Sequence, residues 1–436
     1  MSGCIGIRRE DKNRWEARAP LTPDQVAALV EGGIEVKIQP SDIRGFADKD
    51  YMAAGAEVVE DISNCKVVLA VKEIPADFFL PGRAYVFFSH TIKGQKENMP
   101  MLKRLMEAGA SLVDYEKITD EKGRRLVFFG RYAGFAGMID TLWALGRRLQ
   151  IKGIETPLVE IQQAYHYHGL EAAKQVVSEA GRKLARQGVP RSLRPMVVGF
   201  AGYGNVSGGA QEIFDLLPHV QVDPEDLFGL EPIADKLVKV VFHERHMVRP
   251  KHENVDFDLQ DYYDNPGNYE PRFEEFLNHL SVLVNCIFWT NNYPRLITRK
   301  WVESTWASGE AKLEVIGDIS CDIEGAVEIT TESTDPGDPV YVFDVDKKEA
   351  CPGFQGRGPV ILAVDNLPCE LPRDSSQHFG KSLGPFLPYL AGLDPASDLE
   401  SSGLPGSIKR AVIVWKGELT GAYRYLEKYL AETAGT

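Results

Sequence analysis

The chain has 436 residues, with 49 Lys+Arg against 63 Asp+Glu, a formal net charge of −14, and 44% hydrophobic and 26% charged residues. That balance is ordinary for a folded protein, and at roughly 100–200 residues per domain it implies two or three domains, each with its own core. The acidic excess disfavours nucleic acid or an anionic membrane as a partner, and no run approaches the ~18 apolar residues of a membrane span. The first residues are charged by Arg8 and carry no apolar signal-peptide core. Six scattered cysteines (Cys4, Cys65, Cys286, Cys321, Cys351, Cys369) form no C-x-x-C pair and read as reduced thiols, which points to the cytoplasm.

In chain order, Pro23 to Gly32 reads as an amphipathic helix ending at glycine, Ile34 to Gln39 as a strand, and Val67 to Val71 and Ala84 to Phe88 as further strands. Met101 to Gly109 is a second helix, and Ala136 to Leu149 a buried helix joining two domains. Leu170 to Arg186 is helical, and Arg194 opens a second strand–turn–helix unit. Residues 250–275, rich in Asp, Asn, Pro and Tyr, read as an insertion or surface loop with little regular structure. Apolar runs resume at Ser281 to Trp289 and Pro359 to Val364; Ala411 to Trp415 is a last strand before a terminal amphipathic helix. Strands alternating with helices predict an α/β fold with parallel sheets.

Val197-Val-Gly-Phe-Ala-Gly202-Tyr-Gly204-Asn205-Val206-Ser207 carries the main generic motif. An apolar strand runs into Gly-x-Gly and a helical pattern follows. Gly202 allows the tight turn, and Gly204 lets a pyrophosphate approach the backbone at a helix N-terminus. Ser207 replaces the usual third Gly or Ala, but it is small and can hydrogen-bond a phosphate. Asp223 lies ~20 positions on, where an acid would bind the ribose 2′-hydroxyl, and taken alone it favours NAD over NADP.

Two other constellations carry chemistry. Arg8, Arg9, Lys12, Arg14 and Arg18 crowd eleven residues of an acidic chain and suit carboxylate recognition, against the plain alternative of a solvated charged loop. Lys72 and His90 each follow a strand, so a parallel sheet would bring both to its ligand crevice. A desolvated lysine has a lowered pKa and a histidine titrates near neutrality, a pair suited to proton traffic at a carbonyl or imine. By spacing alone, a surface lysine and a structural histidine are the commoner outcome. His166 and His168 lack a ligand set and read as structural or surface residues.

Together these segments resemble the lysine–2-oxoglutarate reductase family, the saccharopine-forming half of the bifunctional aminoadipic semialdehyde synthases. The resemblance is carried by R8-R-E-D-K-N-R-W-E-A-R-A-P-L-T-P, F87-F-S-H-T-I-K-G-Q, L112-V-D-Y-E-K, F129-G-R-Y-A-G-F-A-G-M-I, the G202-Y-G-N-V-S turn and V364-D-N-L-P-C-E-L-P, nearly the whole chain in order. The downstream saccharopine-cleaving domain is not expected in a chain ending at 436. The resemblance implies two Rossmann-like domains flanking a central cleft: a substrate-side domain of residues 1–135 plus 366–436, and a dinucleotide-binding domain of residues 136–365. It implies Lys72 and His90 as acid–base groups, Arg18 and Arg125 as carboxylate ligands, Glu73 and Glu116 as acids lining the site, and Asp365 near the nicotinamide.

The implied reaction condenses lysine with 2-oxoglutarate to saccharopine through a carbinolamine and an imine, with NADPH favoured by the resemblance and NADH kept open. No metal is required, and the resemblance leaves room for a homo-oligomer. Another amino-acid dehydrogenase or opine-type imine reductase is the alternative enzyme. A non-catalytic dinucleotide-binding regulator is the alternative class. Because 2-oxoglutarate and a dinucleotide are anions, the clustering of Arg8, Arg9, Lys12, Arg14, Arg18, Lys72, Lys93, Arg124, Arg125 and Arg131 predicts an electropositive cleft inside an electronegative body.

Overall fold

The computed structural model describes residues 3–252 and 254–432. The chain forms an α/β protein with two mainly parallel mixed sheets, each in its own compact unit: Met1–Phe129 with Pro372–Thr436, and Gly130–Leu371. Among the described residues no helix is long and apolar enough to cross a membrane.

In the first unit the strands are β1 (Cys4–Ile7), β2 (Glu35–Ile38), β3 (Glu57–Val58), β4 (Val67–Leu69), β5 (Ala84–Phe87) and β6 (Ser111–Asp114), joined by β17 (Val412–Trp415) and β18 (Glu418–Leu419). Their order is β18-β17-β6-β5-β4-β1-β2-β3. The first six run parallel and the last two antiparallel. All of β4, β5 and β6 is buried, as parallel strands covered on both faces require. Helix α1 (Pro23–Glu31) starts at Thr22, whose N–H is accepted by Gln25 Oε1 at 2.8 Å, and buries Val26 and Leu29. Helices α2 (Asp48–Ala53) and α3 (Met99–Glu107) complete the covering. The C-terminal segment returns because it has an apolar and a polar anchor here. Phe379 stacks on Phe129 at 4.4 Å, and Ser376 Oγ accepts the Ala19 N–H at 2.9 Å. Strand order reverses between β1 and β4, so the chain diverges there and leaves a crevice at their carboxyl ends.

The second unit opens with α4 (Gly130–Ile151) and α5 (Leu170–Gln187), then β7 (Val197–Ala201), α6 (Asn205–Phe214), β8 (His219–Gln221) and β9 (Leu237–Phe242). After α7 (Glu244–Met247) and a two-stranded hairpin of β10 (Val248–Pro250) and β11 (Tyr269–Pro271) enclosing α8 (Leu259–Asp264), come β12 (Val282–Asn285), β13 (Val315–Asp318), β14 (Val340–Asp344), β15 (Glu349–Pro352) and β16 (Val360–Leu362). The sheet order is β15-β14-β16-β13-β12-β7-β9-β8. Alternation along β7 splits the core: Val198 and Phe200 pack with α4 and α6 residues, while Val197 and Ala201 pack on the opposite face. Helices α4 and α6 touch backbone to backbone. A side chain at Gly134 would run into the Val206 carbonyl, and one at Gly209 into that of Arg131.

Three expectations are corrected. The described residues of 250–275 carry β10, α8 and β11 rather than little regular structure: Tyr262 and Tyr269 are buried and pack edge-on at 5.2 Å, an aromatic core that polar composition hides. Cys4 and Cys65 form a disulfide, with Cα atoms 4.9 Å apart, rather than standing as reduced thiols. The pairing of β1 with β4 brings together residues 61 positions apart, which spacing does not reveal. Arg131 belongs to α4 of the second unit, paired with Glu212.

Candidate functional site

In the first unit the carboxyl ends of four neighbouring strands carry the charged cluster. Beyond β4 comes Lys72-Glu73, beyond β5 Ser89-His90, beyond β6 Glu116, and beyond β1 the arginine-rich segment. His90 adopts a left-handed backbone, φ +48°, a conformation costly for a residue with a side chain. Its neighbours impose it. Asn98 Nδ2 donates to the His90 carbonyl at 3.1 Å, and buried Asp114 accepts both the Ser89 N–H, at 3.0 Å, and the Ser89 hydroxyl.

Glu73 Oε1 lies 2.5 Å from His90 Nδ1, and its other oxygen accepts Lys12 Nζ at 2.8 Å. Burial alone would raise the Glu73 carboxyl, but the hydrogen bond and charge of His90, with Lys12, hold it down to about 2. A carboxylate at Nδ1 requires N–H there, which leaves Nε2 as the nitrogen that exchanges a proton. Lys72 forms no ion pair among the described residues. Its ammonium is lowered by burial first and by the charge of Arg18 second. Arg18 is itself buried and held bidentately by Glu16, with Nε–Oε1 at 2.7 Å and Nη2–Oε2 at 2.6 Å, and its guanidinium lies 4.3 Å over the Phe129 ring.

Arg125 pairs with Glu116, Arg8 with Asp11, Arg9 with Glu60 and Arg124 with Asp120. The expected excess of positive charge is therefore corrected. Burying guanidinium and ammonium groups at a strand edge requires acids beside them, and the chain supplies those acids locally. Glu10 was missed by sequence reasoning. It is fully buried, accepts the Val71 and Lys72 N–H groups at 2.6 and 2.9 Å, and is pushed up to about 7, chiefly by burial and then by Glu16. In sequence it is one acid among charged neighbours.

In the second unit Gly202 sits at φ +95°, a region open to glycine, as the chain turns out of β7. A side chain at Gly204 would meet nothing within 4 Å, so the turn leaves open space before α6, where Asn205 is exposed and Val206 half-buried. That open space over a helix N-terminus fits a pyrophosphate. Ser207 is fully buried, its Oγ accepting Gln211 Nε2 at 2.9 Å, which assigns it to helix packing rather than to the open end of the turn.

Asp223 is displaced from its expected place. The strand beside β7 is β9, not β8, so the position next to the glycine turn belongs to His243-Glu244, while Asp223 follows the outermost strand. One strand further out is ~4.8 Å further from the turn. Asp365 is exposed just beyond β16. Asp318, ending β13, was missed: it is buried, accepts Asn285 Nδ2 at 2.8 Å and Thr330 Oγ1 at 2.6 Å, and burial raises it to about 6.

Residues 6–136 match the family described as alanine dehydrogenase/PNT, N-terminal domain. Nearly the whole chain is homologous to larger proteins: it is 39% identical over 449 aligned residues to an alpha-aminoadipic semialdehyde synthase of Arabidopsis thaliana, covering 98% of this chain and 41% of that protein. The chain thus spans less than half the length of that relative. A saccharopine dehydrogenase [NAD(+), L-lysine-forming] of Emericella nidulans is 27% identical over 88% of this chain and 92% of its own length. A solved L-alanine dehydrogenase superposes with a TM-score of 0.64 at 20% identity, covering 99% of both chains, and so shares the fold.

Proposed function

We propose, for a chain whose residues 6–136 form an alanine dehydrogenase/PNT N-terminal domain and which is homologous nearly end to end to part of the alpha-aminoadipic semialdehyde synthases, that it condenses L-lysine with 2-oxoglutarate and reduces the product to saccharopine. The observation that carries this reading is the chain Lys12–Glu73–His90 beside a half-buried, lowered Lys72 at one sheet edge. It provides two proton-exchanging groups of different character where a carbonyl and an amine must meet.

Lys72, whose neutral form is made accessible by burial, takes the proton that lysine's ε-ammonium must lose before the amine attacks the keto carbon. His90 Nε2 gives a proton to the carbinolamine hydroxyl, which leaves as water and yields the protonated imine. Glu73 holds the imidazole ring and stabilises its charged form. Glu10 fixes the backbone from which Lys72 extends. Arg125, half-exposed beside Glu116, receives a substrate carboxylate. Arg18, already held by Glu16, adds its charge to the burial that lowers Lys72. Asp365, exposed beyond β16, is the acid on the nicotinamide side of the second unit.

The Gly202–Gly204 turn and the start of α6 would hold the pyrophosphate of NAD or NADP, which when bound would supply hydride for the reduction. The test is to follow loss of reduced nicotinamide absorbance with lysine plus 2-oxoglutarate, against alanine, ammonia or ornithine as the amine. Turnover restricted to lysine supports the reading. Turnover only with another amine assigns the chain to a different imine reductase of the same fold.

A further inference from the structure

The strand beside the glycine strand ends at a carboxylate that two tyrosines hold in place. In a dinucleotide-binding sheet the residue just past the carboxyl end of that neighbouring strand faces the adenosine ribose. A carboxylate there accepts from the 2′-hydroxyl and repels a 2′-phosphate. Strand β9 pairs with β7 so that Phe242 lies opposite Ala201, and the Gly202 N–H donates to the Phe242 carbonyl at 3.0 Å, which sets His243-Glu244 beside the glycine turn.

Side-chain contacts fix the carboxylate independently of strand order. Tyr203, inside the turn between Gly202 and Gly204, reaches Glu244 Oε1 with its hydroxyl at 3.4 Å and stacks on His243 at 4.3 Å. Tyr263, on α8, donates its hydroxyl to the same oxygen at 2.7 Å. Both phenols meet Oε1, and Glu244 remains half-exposed beside the turn. Arg245, one residue further along α7, turns its Nε to His246 Nε2 at 3.0 Å.

We propose that Glu244, oriented by Tyr263, selects NAD over NADP in this chain, and that α8 serves as the support of that selection. This rests on the dinucleotide reading above and deepens it. It also moves the acid that discriminates the cofactors from Asp223 to Glu244.

The experiment is titration of the full chain with NADH and with NADPH, without substrates, read as quenching of tryptophan fluorescence. The wild type binds NADH roughly 10-fold or more tightly than NADPH, as like charge beside a phosphate requires. Glu244→Gln removes most of that preference, chiefly by tightening NADPH. Tyr263→Phe weakens NADH by about 3–10-fold through the lost hydrogen bond and moves NADPH less. Tighter NADPH than NADH in the wild type, or a Glu244→Gln ratio equal to the wild type's, overturns the proposal. Glu244 is half-exposed, so its substitution remains a decisive test even if Tyr263→Phe unfolds. Binding of neither nucleotide overturns the dinucleotide reading itself, and the proposal with it.

Discussion

Lys72 and His90 divide the proton work because their surroundings differ: the lysine is lowered by burial and by Arg18, while the histidine is tied to a carboxylate held down to about 2. Lys72→Met and His90→Gln should each cut turnover by roughly 10²–10⁴-fold with the fold intact, read by steady-state kinetics beside a melting curve. Both residues are legible in the sequence because each follows an apolar strand. Glu10 and Asp318 are not, since a buried acid and a solvated one look alike in a charged segment.

A second buried pair makes a prediction about pH. Asp140 on α4 and Glu370 face each other inside the second unit. Asp140 Oδ2 and both Glu370 carboxyl oxygens are buried without a hydrogen-bond partner of ordinary geometry, so burial disfavours the charged form of each. Burial raises Asp140 from its ordinary 3.8 to about 7 and raises Glu370 well above its usual range. The folded chain then holds protons that the unfolded chain releases, so stability is present below the unfolded values and is lost as pH rises through about 7. The melting temperature should fall between about pH 5 and pH 8, and Glu370→Gln should reduce that fall. An unchanged slope in the variant would remove the pair as its cause.

At the scale of elements, the parallel strands and main helices follow from apolar runs and glycine stops, but their order in the sheet does not. Chain order puts β8 after β7, while the sheet puts β9 beside it, so Asp223 was expected at the ribose and Glu244 stands beside the glycine turn instead. The crossover that fixes this order is a packing choice, invisible to spacing along the chain. The same holds for residues 250–275, where Tyr262 and Tyr269 make a small core amid polar neighbours. The glycines of the F129-G-R-Y-A-G segment gain their meaning only from the α4–α6 contact. Gly134→Val should destabilise by about 1–3 kcal/mol or more, by overpacking against backbone that has no room to move, as chemical denaturation would show.

At the scale of the whole molecule, the −14 charge coexists with a strand-edge cluster whose cations are almost all paired. Attraction of an anionic substrate therefore falls to Arg125 exchanging Glu116 for a substrate carboxylate, rather than to a positive field. The first unit is discontinuous: β17, β18 and the Pro372–Leu383 helix complete its sheet and cover Phe129 and Tyr115. A chain stopped at Leu371 should lose the fold of that unit. The contiguous residues 130–371, with their own core, should keep their structure, and limited proteolysis would separate the two outcomes.

The proposal that Lys72 and His90 serve lysine and 2-oxoglutarate stands or falls with one assay: oxidation of NADH with that substrate pair, by the wild type and by Lys72→Met. Saccharopine should form with the wild type, and the variant should lose roughly 10²-fold or more of the rate with dinucleotide affinity retained. Equal rates in both, or no turnover of lysine by a wild type that binds the nucleotide, would contradict it.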